Sequence, residues 1–419
     1  MSSDPTVQDA AAQEPSAQDP AAVVEGLQER LIAMRRELHA HPELSWQEVE
    51  TTTRIAAWLR EAGLEPQLLP ETTGLFVDIG SGAHVAGFRG DIDALPVTEL
   101  TDLDFHSQSP GVAHACGHDI HTTVMLGLAL SLQHIHTRRP GGLGATIRVI
   151  FQPAEETMPG GAQEVIRRGI LEPVPRVFAL HSDPRIDVGR IGTRIGAITS
   201  AADVVRIEVT GRGGHTSRPH LTEDVVSALS HIATTAPSVL ARRVDVRSAV
   251  SLVWGQIQAG SAHNAIPAVG TLVGTMRVLD ADAWLSAGEL LEEIIGQCAA
   301  PFGVDVSVNH VRGVPPVINA ERETMLLEEA GRSMMGTDAV ELAPQSMGGE
   351  DFAWMTQERP GAMFRLGTRT PGGEDFDLHR GDYAPDERAL TVGTKVMVAT
   401  ALRLSQDVSA LPSTRRMAP

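Results

Sequence analysis

Two cysteines, one lysine and no long apolar run are the scarcities that narrow the chemistry of this 419-residue chain. Cys116 and Cys298 are too few for a disulfide framework at this size, so a reducing compartment, the cytoplasm, is expected and a thiolate is free to act as a ligand. Lys395 lies between Thr394 and Val396 in an apolar helical pattern. Schiff-base and pyridoxal-phosphate chemistry need a lysine at the site and a P-loop needs Gly-Lys-Ser/Thr, so those classes drop out. A Gly-x-Ser-x-Gly elbow, a Cys-x-x-Cys pair and a Gly-x-Gly-x-x-Gly fingerprint are also missing. No stretch reaches the roughly 18 consecutive apolar residues of a membrane span. Positive charge is scarce too: the formal net charge of -19 opposes a nucleic-acid partner and leaves small molecules as the expected substrates.

What is present is enough apolar residue, 42%, for two or three domains. Residues 1–22, rich in Ala, Gln, Asp and Pro with no apolar core, read as a disordered leader, and 409–419 as a frayed tail. Helical spacing from Val23 to Leu38 and again from about Glu48 to Ala62 is followed by alternating strands and helices: Val85 to Phe88, Thr123 to Ile135, Ala145 to Phe151, Gly161 to Gly169, Val177 to Leu180. From Asp203 to Val311 the order becomes β-α-β-β-α-β, an α+β unit of ferredoxin-like order. Helix, strand (Met363 to Leu366) and a last helix then resume the first pattern. The expected architecture is α/β: a catalytic domain of 23–200 and 312–408, with a mixed sheet flanked by helices, interrupted by an inserted α+β unit of 201–311.

Chemistry concentrates in His114-Ala-Cys116-Gly-His118-Asp119, four metal- or proton-competent side chains in six residues. Cys and His are borderline-soft ligands, and i, i+2 spacing in an extended loop would set Cys116 and His118 on one side; the competing reading is a buried cysteine beside a capping Asp119. Glu155-Glu156 follows a buried strand, where neighbouring carboxylates point apart, so that one can bind metal and the other face substrate. His181, at a strand's end, and His379, in the loop Asp377-Leu-His-Arg-Gly-Asp, complete a five-donor set, although either alone reads as a structural histidine.

The ordered motifs Arg35-Arg-Glu-Leu-His-x-His-Pro-Glu-Leu44, Asp91-x-Asp-Ala-Leu-Pro96, His114-Ala-Cys-Gly-His-Asp119, Phe151-Gln-Pro-Ala-Glu-Glu156, Gly211-x-Gly-Gly-His-x-Ser-x-Pro219, Asn264-Ala-Ile-Pro267 and Gly348-Gly-Glu-Asp-Phe352 resemble the aminoacylase/carboxypeptidase G metallopeptidase family, and within it the hippurate and auxin-conjugate amidohydrolase branch. The resemblance runs from about Val23 to Leu404. It implies a catalytic domain on two divalent metal ions with an inserted lid that pairs two copies into a homodimer. It also implies hydrolysis of N-acyl amino acids, with a diaminopimelate deacetylase or aminobenzoyl-glutamate carboxypeptidase as the alternative and an inactive metal-bound binding protein as the alternative of another class.

By that resemblance Cys116, His118, Glu156, His181 and His379 are the ligands, and Glu155 is the general base. Asp93 orients a ligand histidine. Asp91 stands where the wider family has histidine, so it is not carried over as a ligand. His215 of the lid matches the donor to the tetrahedral oxyanion, in cis or from the partner subunit, and Asn264 and Arg277 match the holders of the substrate carboxylate. The thiolate favours zinc; the other donors suit manganese, cobalt or nickel as well. Asp351 reads as a helix cap, while Glu350 and His263 have no role assigned by sequence.

Overall fold

The computed structural model describes residues 19–406. The tail expected over 409–419 and most of the leader expected over 1–22 lie outside them, and the described end of that leader is helical. Asp19 accepts from the amides of Ala21 and Ala22 to cap the helix Pro20–Gly26, whose proline occupies a first-turn position where no N–H is needed. The single helix expected from Val23 to Leu38 is therefore two, Pro20–Gly26 and Gln28–Ala40. Leu27 between them keeps a near-helical backbone (φ -94°, ψ -7°), so the apolar spacing runs through the break unchanged.

An eight-stranded mixed sheet carries the larger unit, in the order 67–68, 75–80, 146–152, 84–91, 177–187, 361–369, 191–193, 340–342. The four strands Thr146–Gln152, His84–Asp91, Val177–Asp187 and Gly361–Arg369 are parallel, buried on both faces and correspondingly apolar. Pairing of His84–Asp91 with Val177–Asp187 stops at Arg89 opposite Ala179. The chain moves to one side of His84–Asp91 for the 146–152 strand and returns on the other for 177–187, so the opening beyond residue 179 is a topological switch point at the carboxyl ends of the strands, where open α/β sheets bind ligands.

Behind the sheet runs the helix His118–Arg138, buried nearly all round rather than along one stripe. It packs against Gln28–Ala40 and Ala389–Gln406. A Cβ on its Gly127 would come within 2.6 Å of Thr394 Oγ1, so this glycine is what lets the last helix approach. Sequence reading started this helix at Thr123. It begins a full turn earlier, because the metal-competent motif supplies its first turn.

Residues 201–314 form a second, antiparallel sheet in the order 251–259, 269–278, 201–210, 305–314, with helices Val225–Arg243 and Ala281–Ala299 on one face and an apolar core of its own. This is the ferredoxin-like order expected, inserted between strands of the larger sheet. Among the described residues no helix is long and apolar enough to cross a membrane.

Candidate metal centre

Cys116 and His118 do not share an extended loop. Gly117 adopts φ 84°, and His118 opens the long helix directly after it. A Cβ at residue 117 would meet Ser182 Oγ at 2.6 Å, and the left-handed backbone there favours glycine, so the turn is fixed by residue type. His118 Nδ1 is committed to Asp93, 2.9 Å from its carbonyl and 3.2 Å from Oδ1. Asp93 Oδ2 accepts from Ser45 Oγ at 2.7 Å and from the Glu156 amide at 3.0 Å, tying the helix start to the carboxylate pair.

His181 was expected to end its strand but lies inside Val177–Asp187. The strand outruns its neighbour at Ala179, and its unpaired edge beyond that point accommodates the buried Pro184. His181 Nδ1 donates to the Ser182 carbonyl at 2.8 Å, leaving Nε2 3.6 Å from Cys116 Sγ. Glu155-Glu156 follows Ala154, a non-glycine residue at φ 51°. That turn is held by buried Glu48, whose Oε1 accepts from the Ala154 amide at 2.8 Å, and by Gly161 N to the Ala154 carbonyl at 2.9 Å. His379, at φ 62°, donates its amide to the Ala115 carbonyl at 2.8 Å and brings Nε2 within 3.3 Å of Glu156 Oε1. Two of the three histidines, His118 and His181, thus have Nδ1 anchored on a backbone carbonyl, which leaves Nε2 to face the other donors.

These donors fall into two groups, Cys116, His118 and His181, and Cys116, Glu156 and His379, each with its atoms within 4.8 Å of one another and with Cys116 common to both. His118 Nε2 and Glu156 Oε1 are buried without a hydrogen-bond partner, the signature of donors built for something the protein itself does not supply. The residues fit a pair of divalent cations, with Cys116 within reach of both donor groups. Burial, then Glu156, push the Cys116 thiol up to about 12, and a bound cation would lower it by stabilising the thiolate. A third group, Asp91, His118 and His121, fits poorly. His121 Nδ1 bonds Asp91 Oδ1 at 2.6 Å, its Nε2 accepts from the Ser182 amide at 2.7 Å, and Arg89 takes Asp91 Oδ2 at 2.7 Å. Both ring nitrogens of His121 are spent, and both oxygens of Asp91 are engaged.

Glu155 lies beside this set, its Oε2 4.0 Å from His118 Nε2. Burial, then Glu350, Glu156 and Asp351, hold its pKa well above the usual carboxylate range. Asp351 does not cap its helix through the side chain as expected. Its carboxylate instead accepts from Arg89 (2.6 Å), Gln152 (2.8 Å) and the Ala162 amide (2.9 Å), and burial pushes it up to about 7. Fully buried Arg89 therefore balances a cluster of acids that includes Asp91, Glu350 and Asp351.

A cavity of about 330 Å³ is lined by Cys116, Glu155, Glu156, His181, His379 and, from the second sheet, Arg277. Arg277 Nη1 donates to the Met347 carbonyl. His215 and Asn264 are not brought there. Both are exposed in the second unit, His215 in the ribbon 214–215/265–266 with its Nδ1 bonded to Ser217, and Asn264 in the turn just before that ribbon's second strand. Sequence reading passed over His121, one turn beyond His118, and over Arg365, which lines the same cavity from a strand read only for its apolar residues.

The family model described as Peptidase family M20/M25/M40 matches residues 87–403. A Bacillus subtilis N-acetylcysteine deacetylase is 36% identical over 382 residues, covering 90% of this chain and 98% of that protein. The crystal structure of the Bacillus subtilis YxeP protein, titled a dinuclear metal-binding peptidase of the M20 family, superposes with a TM-score of 0.78 at 33% identity, covering 91% of this chain and 99% of that one. A Rhodococcus jostii protein named "Putative glutamate--cysteine ligase 2-3" is 46% identical over 374 residues, but that match covers 89% of this chain and only 46% of the relative. More than half of that relative has no counterpart here, so its name says nothing of this chain's reaction.

Proposed function

The chain belongs to peptidase family M20/M25/M40, and from that premise we propose that it is a metal-dependent amidohydrolase that cuts the amide bond of N-acyl amino acids, releasing a carboxylic acid and a free amino acid. The observation that carries the reading is the pair of donor groups sharing Cys116 beside a buried carboxylate that is not itself needed as a donor, Glu155. Cys116, His118, Glu156, His181 and His379 hold two divalent cations, zinc or manganese, which when bound acidify a water and polarise the scissile carbonyl. Glu155 takes the proton of the attacking water and hands it to the departing amine. Arg277 binds the carboxylate of the leaving amino acid.

His215 and Asn264 act across a homodimer formed through the lid, residues 201–311. Two features support that assembly. Both residues are exposed in the single chain, and Ser251–Ala259 is an edge strand that carries exposed Val253 and Ile257. Both cysteines are free and buried, as suits the cytoplasm. Amine release from a panel of N-acyl amino acids, with chelator and then with zinc or manganese restored, tests the reaction. Metal-dependent release is expected, and release that survives complete metal removal would refute it.

A further inference from the structure

Five arginines are buried among the described residues: Arg35, Arg89, Arg148, Arg176 and Arg365. The first four each face a carboxylate: Arg35 meets Asp119 at 2.7 Å, Arg89 meets Asp91 and Asp351, Arg148 meets Asp78, and Arg176 meets Glu323 at 3.6 Å. Arg365 has none. Its Nε is buried without a hydrogen-bond partner, and no carboxylate of the described residues lies within 4.0 Å of its guanidinium. Burying a guanidinium unpaired is costly, and arginine cannot escape the cost by losing its proton.

The nearest acids are engaged elsewhere on at least one oxygen, and the remaining oxygen of Glu350, buried without a hydrogen-bond partner, does not come within 4.0 Å of the Arg365 guanidinium. Asp183 is gripped by Arg185 at 2.9 and 2.7 Å. Glu350 Oε1 accepts from Arg89 at 3.1 Å and from the Phe352 amide at 3.0 Å, and Glu350 belongs to the carboxylate cluster of Glu155 and Asp351, whose oxygens lie within 4.8 Å. Arg365 is the register partner of His181 on the parallel strand, and it lines the cavity that holds Cys116, Glu155 and Arg277. The cavity thus presents two guanidiniums from two different sheets, although a simple N-acyl amino acid brings one carboxylate.

We propose that Arg365 binds a second carboxylate of the substrate, which makes the preferred substrates N-acyl amino acids with two anionic groups. This rests on the amidohydrolase reading above and adds to it the residue that selects the substrate class. The planar guanidinium fork matches a carboxylate with two parallel hydrogen bonds, and a site built for that group rejects an analogue that leaves the fork unpaired.

Three substrates separate the possibilities: N-acetylalanine with one carboxylate, N-acetylglutamate with the second on the amino-acid side, and N-succinylalanine with it on the acyl side. For metal-restored wild type, kcat/KM for one of the two diacids should exceed that for N-acetylalanine by at least about tenfold, chiefly through KM, and the preferred diacid shows which side faces Arg365. Arg365→Met should lower that ratio by at least about tenfold, and Arg365→Lys, which keeps the charge without the fork, should fall between. Calorimetric titration of glutarate into metal-loaded wild type and variants gives a readout free of turnover, with weaker binding expected in Arg365→Met. If the methionine variant does not fold, the lysine variant decides by the same ratio.

A wild type that favours neither diacid, or a ratio unchanged by the substitutions, overturns the Arg365 assignment while leaving amide hydrolysis standing. No release from any substrate, with Arg365-dependent glutarate binding intact, would refute the hydrolase reading and keep the anion site.

Discussion

Glu155 sits among Glu156, Glu350 and Asp351 in a buried pocket, where burial and these acids oppose its charge more than His118, Arg89 and the Asp351 amide favour it. Replacing it by glutamine removes the proton carrier without touching a proposed ligand: kcat should fall on the order of 10²–10⁴-fold while metal content, read by elemental analysis, stays at the wild-type value. Unchanged turnover would remove Glu155 from the mechanism. A second residue-scale effect lies behind the centre, where His39 bridges Asp119 Oδ2 (2.9 Å) and Glu99 Oε1 (3.1 Å). Burial pulls the His39 pKa down, but Asp119 and Glu99 outweigh it and hold it above 6.5; burial pushes Glu99 up, but His39, Thr101 and the Ser107 amide hold it at about 2 against an ordinary 4.5. With its folded pKa raised, His39 contributes stability that is full below 6.5 and lost as pH rises through that folded value. With its folded pKa lowered, Glu99 contributes stability that is full above 4.5 and lost as pH falls towards 2. Denaturant midpoints of metal-free wild type and Glu99→Gln should therefore differ most between about pH 4.5 and 6.5 and converge on the acid side. A gap that widens below pH 4 would contradict the pairing.

The turn at Gly117 is where one residue type decides how two elements meet. Gly117→Ala would force a Cβ against Ser182 Oγ at a backbone angle that L-residues avoid, displacing the start of the His118–Arg138 helix relative to Cys116. Metal affinity should fall on the order of 10–100-fold by competition with a chelating dye, while far-ultraviolet dichroism stays native. The sequence already showed the donors in this stretch, because Cys116, His118 and Asp119 are crowded together, and it showed the alternation of strand and helix, because each apolar run is bounded by glycine or proline. What it hid is long-range. His181 reads as a strand end because Ser182-Asp183-Pro184 looks like a turn, yet the pairing partner Gly361–Arg369 carries the strand on to Asp187. Arg365 is invisible to periodicity because a lone charge in an apolar strand acquires meaning only when His181 is found beside it. The turn at Ala154 is likewise set by Glu48, more than a hundred residues away, which no local pattern reports.

At the scale of the whole molecule, the five proposed ligands come from four separate stretches of chain, 116–118, 156, 181 and 379, so cations that bind only the folded form should tie the carboxyl-terminal loop to the sheet. Free metal at a hundredfold over Kd should add about 2.7 kcal/mol of stability, seen as a lower melting temperature after chelation and recovery on readdition. Whether one chain is a complete catalyst is a separate matter, because His215 and Asn264 stand exposed outside the cavity that holds Glu155 and Arg277. If His215 serves the partner's centre, then His215→Ala and Glu155→Gln homodimers are each defective for different reasons. A mixed dimer pairs the intact Glu155 of one subunit with the intact His215 of the other and so contains one complete site out of two. Equal mixing under conditions that exchange subunits yields half mixed dimers, so activity should recover to roughly a quarter of wild type. If His215 acts within its own chain, or takes no part, no mixed dimer gains a site and the mixture stays at the average of its parents.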